Sequence, residues 1–152
     1  MFFYNLGRNN KMPGCVQEIR YINRDENTHL WLFGLIINEL RSEKPALFDN
    51  KMIETIKKMI KNGVDEEISW GKYVIGDDIE GLTNNMIEDY IKYLGNKRSE
   101  ELGLGILFQN HVLEPESMKW VDKISNPNLI KTDFFEAKPS AYSKSSVIKD
   151  DL

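Results

Sequence analysis

Apolar residues recur every three or four positions along most of this chain, which is the spacing that places them on one face of an amphipathic helix. The longest such stretch runs from residue 15 to residue 41 and contains no proline and one glycine, Gly34. A Pro-Gly pair precedes it, where a turn is expected, and residues 2–6 form a short apolar segment before that turn. The pattern predicts one long helix near the amino terminus.

Shorter apolar stripes over residues 52–60, 64–75 and 82–94 predict three further helices, and a shorter helix is expected over residues 96–102. Thr83 is placed to cap one of them, because a threonine side chain can accept a hydrogen bond from a free backbone N–H at a helix start. Gly63 and Gly95 are expected to end the helices that precede them, since glycine is common just past a last helical turn.

The helical pattern weakens after Gly103, where prolines at 115, 127 and 139 are spaced through mixed polar sequence. Residues 137–152 are rich in serine and show no sustained period, so a mobile tail is expected there. No internal repeat or convincing strand pattern is present. The sequence therefore predicts an all-α domain over residues 1–136 and a flexible tail over residues 137–152.

Composition and charge narrow the range of possible functions. Hydrophobic residues make up 41% and charged residues 29%, which is typical of a globular protein. The net charge of -4 argues against a nucleic-acid partner, since affinity for phosphates comes mainly from Lys and Arg. No stretch reaches the roughly 20 apolar residues that a membrane span needs, and no secretion leader is found. Cys15 is the only cysteine, so no intrachain disulfide can form and a reducing cytoplasm is expected.

A carboxylate and an imidazole interrupt one apolar face of the long helix. At about 100° per residue, seven positions share that face, which is therefore expected to be buried in a helical bundle: Ile19, Ile22, Glu26, His29, Phe33, Ile36 and Leu40. Burying Glu26 and His29 is costly unless a cation compensates them, and the i, i+3 spacing brings both side chains to one point. The pair predicts ligands for iron or manganese. The alternative is an ordinary surface pair.

The letters around this pair resemble a known family. Arg24-Asp25-Glu26-x-x-His29-Leu30 is similar to the Arg-Asp-Glu-x-x-His-Leu segment of class I ribonucleotide reductase small subunits. Further segments resemble the family in the same order: Asn96-x-Arg98, Leu102-Gly103-Leu104, Trp120, Phe134-Phe135-Glu136 and Tyr142. The agreement extends over nearly the whole chain, which resembles the C-terminal part of such a subunit.

The resemblance implies a partial ferritin-like helical bundle and a role for several residues. Glu26 and His29 would be ligands of a di-iron centre, with manganese as a possible metal. Asp25 would belong to the hydrogen-bonded chain that moves an electron and a proton, and Ile22 would line the apolar pocket beside the metal. Tyr142 would relay the radical to the large (alpha) subunit, on which the tail would dock. Asp25 as a surface charge and Tyr142 as an incidental aromatic are the alternatives.

The other ligands that the resemblance implies are not found in these 152 residues. They are a carboxylate, a first Glu-x-x-His and a further Glu, all expected on preceding helices. The chain is expected either to need an N-terminal fragment of the small subunit, as in a split gene, or to be an inactive remnant. The completed subunit could form a homodimer.

Two other functions are compatible with this pattern. A ferritin-like di-metal oxidase or monooxygenase would use the same metal ligands, but it has no need of Tyr142 or a docking tail. A metal-free module that binds the large subunit would need the tail, but it has no need of Glu26 and His29. The reductase subunit accounts for both features.

Overall fold

The computed structural model describes residues 1–126, and within this range the chain is helical and forms no strand. The expected all-α class is confirmed. The predicted tail over residues 137–152, with Tyr142, lies outside the described residues. The five α-helices are α1 (Phe2–Arg8), α2 (Pro13–Glu43), α3 (Asn50–Val74), α4 (Asn84–Glu101) and α5 (Lys119–Ser125). Three short 3-10 turns lie at Pro45–Leu47, Gln109–His111 and Glu116–Met118.

Helix α2 is the predicted long helix, extended by two residues at each end. Pro13 occupies its first turn, where the missing N–H costs nothing because that group has no partner inside a helix. The helix ends at Glu43, just before Lys44-Pro45, since a residue that precedes proline disfavours helical backbone angles. Its 31 residues make it about 46 Å long. No described helix is both long and apolar enough to cross a membrane.

Neither Gly63 nor Gly95 ends a helix, so these two predictions were wrong. Helix α3 continues through Gly63, and α4 continues through Gly95 and absorbs the separate helix predicted over residues 96–102. A glycine inside a helix costs only about 1 kcal/mol, which packing can offset. At Gly95 the missing side chain is required: a Cβ there would lie 2.7 Å from Val64 Cγ2 and 3.2 Å from a ring carbon of Phe108.

Side-chain caps fix the starts of α3 and α4. The Asp49 carboxylate accepts a hydrogen bond from the Met52 amide at 2.7 Å, and the Thr83 hydroxyl accepts one from the Met86 amide at 3.2 Å. Each bond satisfies an amide that has no partner inside its helix. The predicted cap at Thr83 is confirmed.

The core has two adjoining clusters. The first joins α1, the start of α2, α4 and α5 through buried side chains: Tyr4, Val16, Leu82, Tyr90, Met118 and Val121. The second joins α3 to α4 through Val64, Ile68, Ile87 and Ile91. Tyr90 also donates a hydrogen bond to Asp122 at 3.4 Å, and burial raises the pKa of its hydroxyl. These contacts hold α5 against α4 and the amino-terminal turns of α2.

Buried Asn96 fixes the segment that follows α4. Its amide group donates to the carbonyls of Phe108 and His111 at 2.8 and 3.0 Å. Its carbonyl oxygen accepts from the amides of Leu107 and Phe108, both at 2.9 Å. Both donors and both acceptor positions of this side chain are thus used by one loop. This explains why a polar group that is only 1% exposed is stable there.

We expect Gly95→Ala to lower the free energy of unfolding by about 1–3 kcal/mol, because the new methyl group would press on Val64 and Phe108. Gly63→Ala is the matched control: nothing lies within 4 Å of its added Cβ, so it should raise stability by about 0.5–1 kcal/mol. Urea unfolding of both variants measures the difference. Equal stabilisation by both would show that α3 and α4 do not pack this closely.

A second prediction concerns Glu88, which accepts hydrogen bonds from Lys72 and Lys92, each at 2.5 Å, and so joins α3 to α4. These two bonds lower the pKa of Glu88 to about 2, from an ordinary 4.5. A lowered folded-state pKa stabilises the fold above pH 4.5, and that stabilisation disappears as the pH falls towards 2.

We therefore expect Glu88→Gln to destabilise the protein at neutral pH by on the order of 1 kcal/mol, and the difference from the parent should shrink as the pH falls. Unfolding in urea at several pH values between 6 and 2 measures this. Glu54→Gln is the control, because Glu54 pairs with Lys57 inside one helix on an exposed surface. A Glu88 effect that does not change with pH would contradict the assignment.

Candidate metal-ligand site on helix α2

Helix α2 leaves the core after its first turns, and the face that carries Glu26 and His29 is exposed. Ile22 and Phe33 on this face are 53% and 61% exposed, and Ile36 and Leu40 are exposed as well. The expectation that the bundle buries this face is therefore wrong for residues 1–126. The reason is that α1 and α5 cover only the amino-terminal turns of α2, where Val16 and Ile19 contact the core.

Glu26 and His29 nevertheless converge on one point of that face. The distance from His29 Nδ1 to Glu26 Oε2 is 3.3 Å, and the two side chains are 60% and 63% exposed. The contact follows from the helix itself, since residues i and i+3 are neighbours on its surface. The structure thus brings the predicted ligands together, although it places them towards solvent and not in an apolar interior.

The donor set fits part of a metal site. A carboxylate oxygen and an imidazole nitrogen are the ligand types that iron and manganese accept, and both are accessible to an ion. Two donors leave most coordination positions open. Among the described residues no group of three or more His, Cys, Asp and Glu side chains could hold a metal ion. Residues 1–126 therefore present an incomplete ligand set.

The other predicted site residues are less directly connected to this pair. Asp25 accepts a hydrogen bond from its neighbour Arg24 at 3.1 Å and points towards solvent. Ile22 lies one turn before Glu26 and is exposed within the described residues. Tyr142 lies outside the described residues. The roles of these three residues stay predictions.

Three residues that position α2 were not predicted. Near its start, Arg20 donates to the carbonyl of Ile124 at 2.6 Å and Asn23 donates to the carbonyl of Ser125 at 3.3 Å. Near its end, Arg41 donates to the carbonyl of Leu102 at 2.8 Å. The helix is therefore held on both sides of the Glu26–His29 pair. Sequence carries little signal for such contacts, because any residue can supply the carbonyl.

Comparison with known proteins identifies the class. The family described as "Ribonucleotide reductase, small chain" matches residues 1–115. The chain therefore belongs to the ribonucleotide reductase small chain family. Family membership favours the reductase subunit over the oxidase or monooxygenase considered from sequence.

Individual relatives agree with this assignment. The chain is 63% identical to the ribonucleoside-diphosphate reductase subunit beta of Treponema pallidum over 152 residues, which is 100% of this chain and 43% of that relative. It is 39% identical to the subunit beta of Halalkalibacterium halodurans over 145 residues, covering 95% of this chain and 41% of the relative. The chain thus spans less than half the length of these relatives.

Solved structures support the fold. The ribonucleotide reductase R2 subunit from Clostridium botulinum superposes with a TM-score of 0.77 at 43% identity, covering 82% of this chain and 38% of that chain. A class I ribonucleotide reductase structure from Bacillus halodurans gives a TM-score of 0.76 at 37% identity, covering 81% and 43% respectively. The similarity to these two structures confirms the predicted ferritin-like helical architecture.

Proposed function

We propose that this chain forms the C-terminal part of the small, radical-generating subunit of a class I ribonucleoside-diphosphate reductase. The observation that supports this most directly is the meeting of Glu26 and His29 on an apolar face of α2 that residues 1–126 leave uncovered. The reduction of ribonucleotides to deoxyribonucleotides would take place on the large (alpha) subunit. The small subunit would generate and deliver the radical.

Glu26 and His29 would hold one side of a di-iron centre, or of a manganese-containing one, through a carboxylate oxygen and an imidazole nitrogen. The bound metal would supply the oxidising power that forms the radical. The remaining ligands would come from helices outside these 152 residues. A face that carries both ligands and large apolar side chains suits a site from which water is excluded.

The neighbouring residues would serve this site in different ways. Ile22, one turn before Glu26, would present an apolar wall that keeps water away from the metal. Asp25 would pass a proton along a hydrogen-bonded chain towards the surface. Within residues 1–126 its carboxylate is exposed to solvent. Tyr142 would carry the radical onwards, with the segment around Val147, Ile148 and Leu152 docking on the large subunit.

The uncovered face of α2 also indicates what completes the subunit. Removing apolar surface from water gains roughly 25 cal/mol of free energy for each Å² that a partner covers. An N-terminal fragment of the small subunit would supply the covering helices, and the completed subunit could then form a homodimer. An inactive remnant that only binds the large subunit remains the alternative, and it predicts no metal uptake.

Metal uptake tests this proposal. We expect co-expression with the part of the Treponema pallidum relative outside the match to yield a complex with about two iron or manganese ions. Glu26→Gln and His29→Ala should each remove most of that metal, measured by elemental analysis of the purified complex. Activity need not be assayed.

The matched control is Glu39→Gln, an exposed carboxylate of the same helix that faces another side. It should leave the metal content unchanged. A complex that forms without binding metal, or that loses as much metal on Glu39→Gln as on Glu26→Gln, would contradict the assignment of Glu26 and His29.

Thermal unfolding gives a further prediction. Because large apolar side chains of α2 are exposed, we expect the chain alone to unfold broadly or to aggregate. Addition of the complementary fragment should raise and sharpen the transition, since binding to the folded state stabilises it. Calorimetry with and without the fragment measures this. A sharp, high transition of the chain alone, unaffected by the fragment, would refute the need for completion.

A further inference from the structure

Helix α3 carries a second apolar stripe, on a different side from the residues that pack on α4. Val64 and Ile68 face α4 and belong to its core cluster. At about 100° per residue, the second stripe lies about 130° from these two residues. Its members fall within about 60° of one another around the helix: Met52, Ile56, Met59, Gly63, Trp70 and Val74.

Residues 1–126 leave most of this stripe uncovered. Met59 and Trp70 are 67% and 60% exposed, and Met52 and Val74 are exposed as well. At Gly63 an added Cβ would meet no other described atom within 4 Å. The stripe is about 33 Å long, because a helix rises 1.5 Å per residue. A continuous exposed apolar surface of this kind marks an interaction site.

The stripe is symmetrical about Gly63. The spacing on either side of this glycine is the same, at four, seven and eleven residues: Met59, Ile56 and Met52 before it, and Glu67, Trp70 and Val74 after it. Of these six positions Glu67 alone is polar, and it lies at the edge of the stripe. A contact between two identical chains about a two-fold axis needs a surface that is complementary to itself, and this spacing provides one.

We propose that α3 pairs with α3 of a second copy of this chain, in antiparallel orientation, about a two-fold axis at Gly63. Met52 then lies opposite the partner's Val74, and Ile56 lies opposite the partner's Trp70. Because glycine has no side chain, the two helices can approach closely at the axis, at the short end of the usual 8–10 Å between helix axes.

Charge favours the antiparallel orientation. The part of α3 before Gly63 contains four lysines and one glutamate, and the part after it contains three acidic residues and one lysine. Antiparallel pairing places the basic half of each helix beside the acidic half of the other, whereas parallel pairing would place like charges together. Lys58 of one chain and the partner's Glu66 lie on the same flank of the paired stripes, within reach of each other.

Pairing through α3 requires neither a bound metal nor the reductase assignment, because it uses only residues 52–74. Its consequence is a dimer in which two copies of the Glu26–His29 pair are held in one fixed relation. The chain that carries both pairs is then a symmetric unit.

Cysteine cross-linking of the full chain tests the position of the axis. Cys15→Ser first removes the native thiol. In the dimer the two copies of residue 63 have Cα atoms about 4–6 Å apart, a separation that a disulfide can span. We expect Gly63→Cys to give a disulfide-linked dimer under mild oxidation, measured on a non-reducing gel.

Met59→Cys is the matched control, because it lies on the same stripe and is equally accessible. Its two copies lie about 12 Å apart along an antiparallel pair, so we expect at least about tenfold less cross-linking. Parallel pairing or random collision would link position 59 as readily as position 63.

Charge reversal tests the orientation without relying on cysteine. We expect Lys58→Glu and Glu66→Lys each to weaken dimerisation by about tenfold, since each substitution alters two symmetry-related contacts. Combining the two should restore most of the loss. Within one chain these residues lie about 12 Å apart along α3, so a contact inside the chain cannot explain the rescue. Sedimentation over a range of concentrations measures the dimer.

Several outcomes would overturn the inference. A chain that stays monomeric at every concentration would show that the stripe does not pair. A dimer that cross-links equally at positions 59 and 63, or that is not rescued by the double reversal, would place the contact elsewhere. Loss of the Gly63→Cys cross-link when the complementary fragment binds would assign the stripe to that fragment.

Discussion

The anchoring of α2 at two points is the constraint on which the rest of the structure depends. Its amino-terminal turns are held by core packing and by the bonds from Arg20 and Asn23 to α5, and its far end is held by the bond from Arg41 to Leu102. Between these anchors the helix has little support from residues 1–126. The Glu26–His29 pair therefore lies on a helix whose two ends are held in place. The contact between the two side chains requires only their i, i+3 spacing on that helix.

The elements that sequence predicted best are those with a local cause. Helix α2 follows from a long apolar period without proline, and the start of α4 follows from a threonine that can accept an amide hydrogen bond. The contact between Glu26 and His29 was predictable for the same reason, because the two residues lie three positions apart on one helix. None of these features requires knowledge of a distant part of the chain.

The predictions that were wrong concern features that depend on tertiary contacts. Gly95 has the local pattern of a helix stop, but the close approach of Val64 and Phe108 makes the missing side chain a packing requirement inside α4. The burial of the Glu26 face was inferred from its apolar residues, yet burial depends on which helices are present to cover it. Asn96 shows the same limit: its four bonds to one loop have no signature in the residues around it.

Solvent exposure explains how an acid and an imidazole can share an apolar face in this chain. In water each group keeps its hydration, so the pair costs little. If helices cover the face, that hydration is lost, and an uncompensated carboxylate in an apolar interior costs several kcal/mol or is forced to take up a proton. A metal ion would remove this penalty by replacing water as the partner of both groups. Under the proposed function, covering the face and binding a metal would therefore be coupled, so that each would make the other more favourable.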